Sequence, residues 1–284
     1  MIRLAEPGDR PQVKALWMQA FEDDEQTTDH YFDHRHRDQY MMVDIEGDEL
    51  RAMLTMLPVD LIIGDQTLPA RYFFAIATEL RFRGQGISTK LIEAAECLCK
   101  QQAATASVLV PASKELFRFY AKRGYVTRFY YKAQKLSQDD LPPCPRDYRL
   151  LPATAEAMHR LREGAFAKNR LFLRWDREAL QYVIASAGDY GALLLRFETA
   201  NGEGYAYCEQ DGETMIVKEL ALAGITVPEA VAILHRQLKA KSYLLRLAGE
   251  AEGELGLIPF GMMKAFMPLP STQGGVPYLS FAKD

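Results

Sequence analysis

Between Ser137 and Arg146 the chain reads Ser-Gln-Asp-Asp-Leu-Pro-Pro-Cys-Pro-Arg, and no regular element can pass through it. Three prolines in four positions remove backbone donors, and two acids break the hydrophobic period just before them. The segment divides 284 residues into two stretches, each long enough to bury a core of its own. The expected units are residues 1–137 and 147–284, joined by a linker over 138–146.

Hydrophobic spacing predicts an order of elements in the first unit that the second partly repeats, with little sequence identity. The first opens with a strand at Ile2–Ala5. Asp9 and Pro11 then start a helix carrying Val13, Leu16, Trp17, Ala20 and Phe21 on one face, and a second helix spans Thr28–Arg37. Strands over 40–45, 51–63 and 67–78 follow, separated by Glu-Gly-Asp-Glu and Gly-Asp-Gln turns that suit an antiparallel meander. A helix over 87–102, a strand over 106–110, a helix over 113–123 and a strand over 126–136 complete the unit. The second has a strand at 148–151, helices at 154–166 and 176–187, and strands at 192–197, 204–209 and 215–222. A helix at 229–240 and a strand at 243–247 close it. The fold class that follows is α+β: two copies of one fold, each a mixed, mainly antiparallel sheet flanked by helices.

Composition narrows the function classes. Hydrophobic residues make up 48% and charged residues 25%, the proportions of a globular chain. The 34 basic and 38 acidic side chains leave a net charge of −4 with no dense Lys/Arg run, so nucleic acid is not an expected partner. No apolar stretch reaches the about 18 residues that a membrane span needs; even Met53–Ile63 is broken by Thr55, Pro58 and Asp60. The first residues lack a basic-then-apolar signal region, so no membrane partner and a cytoplasmic location are expected. Cys97, Cys99, Cys144 and Cys208 read as reduced thiols, the closest pair pointing in different directions from one helix.

Chemistry is concentrated at Arg81-Phe82-Arg83-Gly84-Gln85-Gly86-Ile87-Ser88, between a strand and a helix. The chain must turn tightly there and present consecutive N–H groups at a helix N-terminus, which is an anion site. Gly84 and Gly86 let the backbone approach a ligand, and Arg81 and Arg83 add positive charge. A third glycine is missing and the preceding strand belongs to a meander, which excludes a dinucleotide fingerprint; without Gly-Lys-Ser/Thr it is no P-loop.

Arg81, Gly84 and Gly86 after the strand 73–78 resemble the acetyl-coenzyme A loop Arg/Gln-x-x-Gly-x-Gly/Ala of GNAT N-acetyltransferases. The run Leu116–Tyr125, with Tyr120 and Gly124, resembles the tyrosine helix and turn found near the thiol in that family. The tandem arrangement, with Gly261-Met262-Met263-Lys264 and the terminal run from Tyr278 to Asp284, is similar to the enhanced-intracellular-survival group of acetyltransferases. The sequence departs from that group by ending where a third, sterol-carrier-like domain would begin. That domain's terminal carboxylate, which serves the group's active site, is therefore not carried over.

The resemblance implies acetyl-coenzyme A as acyl donor, held by Arg81, Arg83, Gly84, Gln85, Gly86, Ile87 and Ser88, with backbone groups of Ala75, Ile76 and Ala77 pairing with the pantetheine arm. It implies N-acetyl transfer to a primary amine of a small molecule or peptide, with Tyr120 donating a proton to the departing sulfur. Glu79, just after the fourth strand, is the candidate base, acting directly or through water. A non-catalytic acyl-coenzyme A sensor is the alternative, since no base is firmly assigned. Glu22-Asp23-Asp24-Glu25 lies where an acceptor pocket would attract a cationic amine. His30, His34 and His36 read as a solvated helix face, and no metal is expected. Gly124 reads as a helix-ending residue. Thr226 and Glu229 have the spacing of a capping box, so the second unit is expected to bind no coenzyme A and to shape the acceptor side. Assembly into a homo-oligomer is compatible with the sequence.

Overall fold

The computed structural model describes residues 1–166, 171–249, 256–271 and 275–279. The terminal residues Ser280–Asp284, part of the run compared above, lie outside them. The first unit contains β1 (Ile2–Leu4), α1 (Arg10–Phe21), α2 (Glu25–His34), β2 (Met41–Glu46), β3 (Glu49–Ile63), β4 (Gln66–Thr78), α3 (Ile87–Gln101), β5 (Ala106–Leu109), α4 (Lys114–Ala121) and β6 (Val126–Ser137). The second contains β7 (Arg149–Leu151), α5 (Ala155–Phe166), β8 (Leu171–Arg174), α6 (Arg177–Ser186), β9 (Ala192–Thr199), β10 (Gly202–Asp211) and β11 (Thr214–Ala223). It continues with α7 (Val227–Leu238), β12 (Ser242–Leu247) and β13 (Leu257–Ala265).

One sheet runs through both units in the order β1-β2-β3-β4-β5-β13-β6-β12-β11-β10-β9-β7, with β8 added beside β3. Read from either end the pattern is the same, because the units exchange strands at the centre. The C-terminal β13 lies antiparallel between β5 and β6, while β6 pairs with β12 of the second unit. The exchange is fastened by Lys264 on β13, whose Nζ donates to the buried Glu96 of α3 at 2.6 Å. Neither β8 nor β13 follows from periodicity. β8 has four residues, and β13 is a strand because two neighbours supply its hydrogen-bond partners.

The expected helix faces are buried as their spacing requires. Val13, Leu16 and Trp17 of α1 pack on Tyr31 and Phe32 of α2, with the Trp17 and Tyr31 rings stacked at 4.4 Å. Helix α2 starts three residues before the sequence expectation, because Asp24 accepts from Thr27 N at 2.7 Å and caps it. A further core cluster crosses between units, joining Leu57, Leu61 and Tyr72 to Leu171, Leu173, Trp175 and Leu180. Inside the second unit, Arg162 of α5 pairs with Glu219 of β11 at 2.5 Å, and Tyr205 donates to the same carboxylate. This buried charge is thus matched by a partner. Among the described residues no helix is long and apolar enough to cross a membrane.

Candidate active site

Two strands part to make the site. β4 and β5 run parallel but pair only at Arg71–Ser107 and Tyr72–Val108, after which β4 continues to Thr78 paired with β3 but no longer with β5. Just beyond that point β4 bulges: Ala75 and Ile76 stand against Leu54 of β3, between the pairs Phe74–Thr55 and Ala77–Met53. Ala75 takes φ 50°, a left-handed conformation uncommon outside glycine. The bulge breaks the β3–β4 register at Ala75 and Ile76, on a stretch of β4 whose other edge β5 has left.

The glycine loop follows. Gly84 and Gly86 have φ of 79° and 75°, and a Cβ at either would meet no atom within 4 Å. Backbone conformation, not crowding within the chain, therefore requires glycine here. Gly86 leads into α3, and no side chain among the described residues caps that helix, so its first N–H groups have no side-chain acceptor there. Arg81 is exposed and bonded to Glu49 at 2.7 Å and Glu79 at 3.2 Å; Arg83 Nε donates to Thr78 O at 3.1 Å. Gln85 Nε2 donates to Arg81 O at 3.3 Å, tightening the turn. Ile87 turns its side chain into the core, so only its backbone is available to a ligand, whereas Ser88 is half-buried. The corresponding helix of the second unit, α7, is closed by a reciprocal cap, in which Thr226 N donates to Glu229 Oε2 at 2.9 Å.

A cavity of about 400 Å³ opens at the strand divergence. The first unit contributes Ala75, Ile76, Leu109, Tyr120 and Asp23, and the second contributes Tyr190, Tyr207, Glu209, Lys218, Arg246 and Phe260. Tyr120 is almost buried, and loss of hydration pushes its phenol up to about 12, so it stays protonated at neutral pH. Asp23 accepts from Trp17 Nε1 at 2.8 Å on the cavity wall. Of the neighbouring acids, Glu22 ends α1 in a left-handed conformation, Asp24 caps α2 and Glu25 lies in its first turn. Only Asp23 of the four lines the cavity. Glu79 does not line it either. It accepts from Arg81 N at 2.9 Å as the cap of a short 3-10 turn.

Other expectations resolve differently. His36 is not on a solvated face: it is largely buried against Asp38 at 2.8 Å, and desolvation lowers its pKa. His30 contacts Asp189 across the unit boundary. Gly124, at φ 85°, ends α4 beside the Lys264 stem. Cys99 is buried and Cys97 exposed on opposite sides of α3. Sequence reading missed every cavity residue of the second unit. Lys218, for example, is the extra residue of a bulge in β11, between the pairs Glu219–Tyr207 and Val217–Cys208, and bonds Glu209 at 2.8 Å. It also missed Arg123, whose Nε donates to Thr89 in the first turn of α3 at 3.1 Å. The Arg-Gly-Tyr sequence after α4 was the available signal.

Comparison with known proteins agrees with this geometry. Over 93% of its length the chain superposes on 72% of a conserved Enterococcus faecalis V583 protein named a probable N-acyltransferase, with TM-score 0.74 and 13% identity. It superposes equally on 72% of a GCN5-related N-acetyltransferase from Anabaena variabilis ATCC 29413, with TM-score 0.73 and 14% identity. Eis1 from Mycobacterium abscessus gives TM-score 0.67 at 12% identity, with 93% of this chain and 73% of that one covered. At such identities the likeness is one of fold. No curated protein sequence matches the chain. Residues 1–127, which hold the bulged β4, the glycine loop and Tyr120, match the family described as acetyltransferase (GNAT) domain.

Proposed function

We propose that the chain transfers an acetyl group from acetyl-coenzyme A to a primary amine in the cavity between its units. The observation that carries this reading is the uncapped, glycine-led N-terminus of α3, next to a strand divergence whose walls hold the Ala75 bulge and a protonated Tyr120. The α3 N–H groups, with Arg81 and Arg83 beside them, suit a pyrophosphate. Peptide groups of Ala75, Ile76 and Ala77 suit the pantetheine arm and the thioester carbonyl oxygen.

Transfer forms a C–N bond and breaks a C–S bond. The departing sulfur needs a proton, which the Tyr120 hydroxyl supplies; the attacking nitrogen must lose one, and the Asp23 carboxylate is placed to attract the ammonium and assist that loss. Glu79, engaged with Arg81, has the lesser claim as base. The second unit binds no donor, because Thr226 and Glu229 occupy the N-terminus of α7 and Glu229 would repel a pyrophosphate. Residues 147–284 instead wall the acceptor side.

An amine-panel assay reporting free coenzyme A tests the reading. At least one primary amine should release coenzyme A above the hydrolytic background. Donor binding without transfer to any amine would replace the enzyme by an acyl-coenzyme A sensor.

A further inference from the structure

A charged side chain without a hydrogen bond among the described residues is buried where the two units meet. Arg35 follows α2, is 3% exposed, and its Nη2 finds no acceptor among the described residues. The carboxylate of Glu178 on α6 stands 3.8 Å from Nη1, beyond hydrogen-bond distance. That carboxylate already accepts from Arg37 at 2.9 Å and is half exposed. Two guanidiniums thus share one acid, and the buried one has the weaker claim on it. Burying a guanidinium without acceptors is strongly unfavourable, which makes an anionic partner the natural reason for its place.

Arg35 borders a small cavity of about 60 Å³ walled by Tyr31, Leu57, Trp175, Ala179 and Tyr182. Tyr72, Phe74 and Val183 form a wall common to this cavity and the larger one. The cavity is small and suits a compact anionic group such as a carboxylate. A single positive charge among apolar walls also favours a singly charged group, and a guanidinium matches a carboxylate through paired N–H donors.

We propose that Arg35 receives the carboxylate of the acceptor, so that the substrate is an amine joined to a carboxylate by an apolar chain, as in an ω-amino acid. The proposal rests on the acyl-transfer reading above. The amine lies beside Asp23 and the β4 bulge, and the methylene chain passes Tyr72 and Phe74 to reach Arg35.

The test pairs direct binding with kinetics on the full chain. Hexanoate, a carboxylate without an amine, is titrated calorimetrically into the wild type and Arg35→Met; the variant should bind at least about ten-fold more weakly. The ratio of kcat/KM for 6-aminohexanoate to that for hexylamine should fall at least about ten-fold in the same variant. Arg35→Lys, which keeps the charge and loses the fork, should fall between, and it carries the test if Arg35→Met does not fold. Hexanoate binding that is absent from the wild type or equal in wild type and variant overturns the proposal, as does an unchanged kinetic ratio. Hexanoate that binds through Arg35 without competing against 6-aminohexanoate overturns the acceptor assignment and leaves a site for a free carboxylate. If neither amine is acetylated while hexanoate binding still requires Arg35, the acyl-transfer reading fails and the carboxylate site stands.

Discussion

Tyr120 shows how burial shapes a group for one task. Its phenol is pushed up to about 12 by desolvation, so across the neutral range it can give a proton and cannot act as a phenolate base. Tyr120→Phe keeps the ring among Phe119 and Tyr125 and removes the donor. Turnover should fall about ten-fold or more while acetyl-coenzyme A affinity stays within about two-fold, measured by steady-state kinetics beside donor titration. Wild-type turnover would return Tyr120 to packing alone. The same burial protects thiols: Cys99 and Cys208 are both pushed up to about 12 and fully enclosed. A thiol-reactive dye should label exposed Cys97 in the folded protein and reach Cys99 and Cys208 only after denaturation. Tyr120 could be found in the sequence because its helix carries a family pattern. Asp23 could not be separated from Glu22, Asp24 and Glu25, because which of four adjacent acids faces a cavity depends on where one helix ends and the next is capped.

Helices α3 and α7 follow β4 and β11, which hold corresponding places in the sheet order of the two units, yet one N-terminus is open and the other is closed. A capped terminus has satisfied its donors, so only α3 can offer them to a phosphate. Acetyl-coenzyme A titration should therefore give one site per chain. Replacing Gly84 and Gly86 by valine, at positive φ where β-branched residues are strained, should weaken that site more than ten-fold, about 1.4 kcal/mol or more. A second site surviving the change would refute the donor-free reading of the second unit. The cap of α7 was legible because Thr-Val-Pro-Glu is a local signal. β13 was not, since its strand character depends on β5 and β6, far away in sequence. Lys264→Met on β13 would leave the buried Glu96 carboxylate without its partner. A loss of about 3 kcal/mol is expected in denaturant unfolding, at the low end for a buried pair because Lys264 is partly exposed.

Strand exchange makes the two units one cooperative body. A fragment ending at residue 137 keeps the glycine loop but lacks β13, so β5 and β6 would face each other across an unfilled gap. Such a fragment should show neither a cooperative melt nor acetyl-coenzyme A binding, and restoring residues 138–284 should recover both. Alkaline pH probes the same body. Tyr120 and Tyr182 are each raised from 10.0 to about 12 by desolvation, so folding favours their protonated forms. Their contribution to stability is full below pH 10 and is lost as pH rises from 10 through 12, and the melting temperature should decline over that window. The features that could be read along the chain are those written in neighbouring residues: the helix faces, the hairpin turns, the proline-rich break, the tight glycine loop before α3 and the α7 cap. The central strand exchange, the bulge that places Lys218 on the cavity wall and the buried charge of Arg35 join segments up to more than a hundred residues apart. Periodicity reports which face of an element is apolar and carries no record of which distant element will cover it, so these features arise only when the folded chain brings their parts into contact.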